Sequence, residues 1–190
     1  MAPRNDPLSR LPYHAICAQK VRWAVGVAAL NAWSFAVFAV ASAVLLVIST
    51  LLGDFTLAAL GITVVLGIVA YFEFRGKRML KELDPAGCSV LGWNQLGLLA
   101  ALVAYCTWSI VWGFLYPPSE ELRENPSWQL LESEFGDALW PVLIASIYGS
   151  VIIASVIYQG GNAWYYFARR KRVEECRAMT TDSSADPRIA

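Results

Sequence analysis

Four stretches of this chain, residues 23–52, 55–72, 96–116 and 139–166, contain no charged side chain. Crossing a hydrocarbon core about 30 Å thick takes about 20 predominantly apolar residues in a helix. Each stretch is close to that length or above it. The depletion is visible in the whole composition: 57% of the 190 residues are hydrophobic and 16% are charged, where a soluble domain carries about 25% charge. Trp23, Tyr71, Trp93, Tyr116, Trp140, Trp164 and Tyr165 stand near the ends of the runs, where amphipathic rings meet lipid headgroups. Four transmembrane helices are expected.

The charges left outside the runs are sorted by sign. Of the 15 Lys and Arg residues, only Arg123 falls between the third and fourth runs. The rest lie before residue 23, in 75–81, or from 169 onward. Short loops rich in Lys and Arg stay on the cytoplasmic side. Both termini and the middle loop are therefore expected inside, and an even number of spans agrees. The outer loop holds Glu120, Glu121, Glu124, Glu132, Glu134 and Asp137. The expected fold class is all-α: a polytopic membrane protein, a four-helix antiparallel transmembrane bundle of two helical hairpins, N-in and C-in.

The segments follow from these boundaries. Residues 1–22 form a cytoplasmic N-terminal segment whose later part can make a short interfacial helix. It is too long and mixed for a signal-peptide n-region, so no cleavage is expected. Residues 23–74 are the first hairpin, with spans 23–52 and 55–74. Residues 75–93 are a basic cytoplasmic loop with a helical extension, closed by Asp84-Pro85, because a residue before proline disfavours helix; 85–90 reads as loop. Residues 94–167 are the second hairpin: span 95–116, acidic outer loop 117–138, and span 139–167. Ser127 is the expected cap of a short outer helix presenting Trp128, Leu131 and Phe135 on one face. Residues 168–190 are a basic helical extension and a disordered tail.

Small residues recur at helical spacing: Ala28, Ala32, Ala36, Ala39 and Ala43 in the first span, Ala59, Thr63, Gly67 and Ala70 in the second. In lipid such stripes let helix backbones approach. The exits AYFEFRGKRMLKEL and AWYYFARRKRVEEC align without a gap. Duplication of one hairpin accounts for that, and so does the common tendency of inward-ending helices to carry aromatics followed by basics.

Candidate sites are few. No span carries a charged residue near its middle, where pumps and ion-coupled carriers usually need one. Glu73 sits at the inner interface beside Arg75, Lys77 and Arg78, and an interfacial ion pair is the plain expectation; a gate or a lipid-headgroup contact is the functional one. Asn31, Gln159 and Asn162 lie at broadly similar depth and read as interhelical hydrogen-bonding groups or as the lining of a small polar cavity. Arg75, Lys77 and Arg78, with Arg169, Arg170, Lys171 and Arg172, suit anionic lipid at about 1 kcal/mol per residue. The single histidine, His14, and the widely spaced Cys17, Cys88, Cys106 and Cys176 suggest neither haem nor a metal centre. The cysteines read as reduced. No cofactor, catalytic constellation or nucleic-acid surface is expected, and the chain does not read as an enzyme.

The sequence thus points to a small structural or interaction component of a membrane. Its partners would be lipids and a second copy or another membrane protein. An oligomeric channel or carrier with its pore between protomers is the alternative. The alanine-rich helices and Arg-rich clusters resemble those of a bacterial inner (plasma) membrane protein.

Overall fold

A computed structural model describes residues 7–184 of the chain, with side chains over residues 21–179. All regular elements are helical, with no strand among the described residues. Four segments are long and apolar enough to cross a membrane: Val21–Leu51, Leu57–Lys81, Ala86–Leu115 and Pro126–Met179. The chain forms two compact units, Met1–Gln95 with Asn162–Ala190, and Leu96–Gly161.

The first unit begins with α1, Pro7–Leu51. It is one unbroken helix, so the stretch read as an interfacial lead-in is continuous with the first span. A turn through Gly53, at φ +89°, leads to α2, Leu57–Lys81. Thr56 caps α2 by accepting from the Ala59 amide. The helices pack along the small-residue stripe of α1: Ala28 and Ala32 are fully buried, and Ala36, Ala39 and Ala43 are half-buried. The Thr63 hydroxyl donates to the Ala59 carbonyl, so Ser42 is the donor in the 2.8 Å bond that joins α1 to Thr63. Nearer the basic end, Trp33 meets Phe74 edge to face at 5.6 Å.

α2 closes with the Asp84 amide bonded to the Met79 carbonyl and Leu83 in the left-handed region, at φ +56°. The next helix, α3, runs over Ala86–Leu115. It starts at once, which corrects the expectation of a loop through residue 90. Asp84-Pro85 ends one helix and also starts another. The Asp84 carboxylate accepts from the Ala86 amide, and proline is pre-organised for the start of a helix.

The chain returns to this unit as α7, Gly161–Ser184. The helix runs past Cys176 through Arg177, Ala178 and Met179, good helix formers, so the segment expected to be disordered is helical as far as Ser184. A core unites the four helices at the basic end: Ala24 and Ala28 of α1, Leu80 of α2, Cys88 and Leu91 of α3, Tyr166 and Val173 of α7. Glycines set its closeness. A Cβ on Gly87 would lie 2.9 Å from the Met79 Cβ and 3.0 Å from the Gly76 carbonyl oxygen and the Leu80 amide. Gly76 rests against Leu91 and Gly92 against the Phe167 ring. Cys88 is free and buried, whereas Cys176 is disulfide-bonded, which corrects the reading of four reduced cysteines. Cys17 lies outside the residues whose side chains are described.

The second unit holds the rest of α3 and the elements after it: α4, Glu120–Arg123; α5, Pro126–Phe135; a 3-10 turn, Gly136–Ala138; α6, Leu139–Ser155; and a π turn, Val156–Gly160. Rings hold it together. Trp108 stacks on Trp112 at 5.7 Å and Trp112 on Tyr116 at 4.1 Å. The Trp140 indole donates to the Tyr116 carbonyl and meets Trp128 edge to face. The cap of α5 is Asn125, accepting from the Ser127 amide, rather than Ser127 itself. Trp128 is buried, while Leu131 and Phe135 are exposed.

Candidate polar site on the second and third helices

Val69, Glu73, Gly76 and Leu80 follow one another at helical spacing and are all buried. They form the face of α2 that meets the first turns of α3. Three of the four are apolar or small; the fourth is a carboxylic acid with no exposed surface at all.

α3 answers with two neighbouring amides. Asn94 Nδ2 donates to Glu73 Oε1 at 3.0 Å and to the Val69 carbonyl at 3.1 Å. Gln95 Nε2 donates to the same Glu73 Oε1 at 2.6 Å. Asn94 thus uses both of its N–H bonds across the helix pair, one on the backbone and one on the acid. Gln95 is fully buried like Glu73. The remaining oxygens, Glu73 Oε2 and Gln95 Oε1, are shielded from solvent and meet no hydrogen-bond partner among the described residues.

This environment differs from an interfacial ion pair. Among the described residues no ion pair joins Glu73 to Arg75, Lys77 or Arg78. Arg75 and Arg78 are exposed, and the Lys77 ammonium lies 5.7 Å from the centre of the Phe74 ring. A carboxyl inside the helix pair and basic side chains around its outside belong to opposite faces of one helix.

The other polar candidates stand on other elements. Asn31, buried on α1, donates to the Tyr166 hydroxyl of α7 at 3.4 Å. Asn162, at the start of α7, is half-buried, and its Nδ2 has no partner among the described residues. Gln159 stands on the π turn of the second unit; it is buried, and its Oε1 is likewise without a partner there. On α7 the Arg169 guanidinium covers the Tyr165 ring at 4.2 Å, Arg170 pairs with Glu174 at 3.3 Å, and Lys171 and Arg172 are exposed.

Asn94 and Gln95 are the residues that sequence reasoning missed. With the cytoplasmic segment expected to end at residue 93, Asn94 and Gln95 stand at the edge of a span, where a polar side chain draws no notice. With α3 starting at Ala86, Asn94 falls in the helix interior, where a polar side chain needs a partner. The spacing of Cys88, Leu91 and Gln95 then marks the buried face.

Among the described residues no group of three or more His, Cys, Asp or Glu side chains is placed to hold a metal ion. Compared with known proteins, the chain matches no family model, and neither a curated protein nor a solved structure is detectably similar.

Proposed function

We propose that this protein is an integral membrane component whose role is association: it assembles with copies of itself, or with another membrane protein, through its small-residue faces. In this reading the four spans form an antiparallel bundle of two hairpins with both termini in the cytoplasm of a bacterial cell. Arg75, Lys77 and Arg78, with Arg169–Arg172, lie against the anionic inner leaflet, held by the same asymmetry of charge that orients the chain.

One observation carries the reading. Lipid gives apolar helices little reason to associate, and close backbone approach at small residues is a main alternative source of attraction. The protein uses Gly76, Gly87, Gly92 and Gly113 internally, each against a neighbouring side chain or backbone. It leaves Gly26, Gly61, Gly67, Gly97 and Gly149 facing open space, with nothing within 4 Å of where a Cβ would stand. Gly61 and Gly67 share α2 with Gly76, so one helix carries both used and unused contact points.

The mass of the nanodisc-embedded particle tests this. The expected result is a discrete homo-oligomer or a stoichiometric complex, reduced to a monomer by Gly61→Leu with Gly67→Leu at unchanged thermal midpoint. A wild-type particle that is a lone monomer overturns it. A pore between protomers is the second reading, favoured by the buried Gln159 Oε1 and Asn162 Nδ2, which have no partner among the described residues. Single cysteines at positions 31, 159 and 162 that react with a water-soluble maleimide would support it.

A further inference from the structure

Glu73, Asn94 and Gln95 leave an incomplete set of hydrogen bonds. A buried polar atom without a partner costs about 1–3 kcal/mol, and more when it is charged. An isolated buried carboxylate is more costly still, so buried charges are paired, hydrogen-bonded or neutralised. Glu73 is fully buried and makes no ion pair among the described residues. Two amide N–H groups converge on one of its oxygens, at 2.6 Å and 3.0 Å. Among the described residues the other oxygen has no donor, and neither does the amide oxygen of Gln95, the same side chain that supplies the shorter bond.

Both orphans are acceptors. In the arrangement present Asn94 Nδ2 has both of its hydrogens engaged on Val69 and Glu73, both amides spend their bonds to the acid on the same oxygen, and no N–H group of the described residues reaches either orphan. What the site lacks is a positively charged or hydrogen-bearing atom. It has to be small, because the face is sealed by Leu91 packed onto Gly76 and by Asn94 reaching the Val69 backbone. One positive charge would neutralise the single carboxylate.

We propose that Glu73 and Gln95 form a binding site for one small monovalent cation, a proton or a sodium ion, held at the free carboxylate oxygen and the free amide oxygen. A proton makes Glu73 a carboxylic acid facing a primary amide. Such a pair can use both partners fully, amide N–H to acid carbonyl and acid O–H to amide carbonyl. A sodium ion takes the same two oxygens as ligands and leaves the carboxylate ionised. Asn94 is a positioning residue: it ties the acid to α3 whichever cation is present.

Infrared spectra of the full chain in nanodiscs decide the matter, with wild type, Glu73→Gln and Gln95→Met compared in sodium chloride and in choline chloride. A band of an un-ionised carboxyl that is lost in Glu73→Gln, indifferent to sodium and displaced in frequency in Gln95→Met supports the site with a proton as occupant. A carboxylate band that moves when choline is replaced by sodium in wild type, and stays fixed in Gln95→Met, supports it with sodium. An ionised carboxylate that responds to neither sodium nor the loss of the Gln95 amide overturns the proposal. Should Glu73→Gln fail to fold, the Gln95→Met comparison still separates these outcomes, because it keeps the acid and removes only its amide partner.

Discussion

Two regions of the first unit are built from the same helices and behave differently. At the basic end, residues 21–33 of α1 and 69–81 of α2 join the start of α3 and the body of α7 in one core. Further along, residues 34–51 of α1 and 57–68 of α2 pack on each other through Ala36, Ala39, Ala43, Ser42 and Thr63, and most of their large side chains are exposed. Both regions are rich in Ala, Gly, Val and Leu. What separates them is the number of backbones that meet. Where four converge, Gly76, Gly87 and Gly92 are filled, side chains lock, and a carboxyl can be buried with two amides around it. Where two meet, the outer surface is left for lipid or for another protein.

The comparison is broken first by emptying the shared core. Tyr166→Ala removes a fully buried ring that also accepts from Asn31. A loss of about 3–5 kcal/mol is expected for such a truncation, read as the midpoint of denaturant unfolding in mixed micelles. Gly87→Ala comes next. Its Cβ meets backbone and a rigid Cβ rather than a flexible tip, so the helices must part, at about 1–3 kcal/mol as in other overpacked cores. The same measurement on Gly67→Ala, where nothing lies within 4 Å, should show no loss; equal effects at the two glycines would erase the distinction between the regions. Ser42→Ala removes the hydroxyl bridge of the two-helix region, and about 0.6 kcal/mol is expected, typical of interhelical hydrogen bonds in a membrane. Val40→Ala, at an exposed position, should be smallest, within about 0.5 kcal/mol, as for substitutions away from packed features.

Glu73 teaches a related lesson. Read along the chain, it belongs with Arg75, Lys77 and Arg78, two to five positions away. Read around the helix, it belongs with Val69, Gly76 and Leu80, and its neighbours in space come from α3. Sequence proximity suggested an ion pair, whereas helical phase placed the acid inside and the bases outside. The missed start of α3 compounded this. A stop signal and a start signal coincide at Asp84-Pro85, and reading only the first sets Asn94 and Gln95 at the very start of a span instead of more than two turns inside a helix.

The sequence by itself determined the helical class, the four segments long and apolar enough to cross a membrane, and the turn at Gly53. These depend on local composition and on the fixed rise of a helix, which a linear reading can measure. Helical phase also showed which face of α1 carries the small residues. Only the tertiary structure decided which small residues are used and which are left open, that Glu73 meets two amides instead of a base, and that Tyr166 reaches Asn31 across 135 positions of chain. Such contacts depend on which helices converge and how closely. That is a property of several backbones at once, and no single segment encodes it.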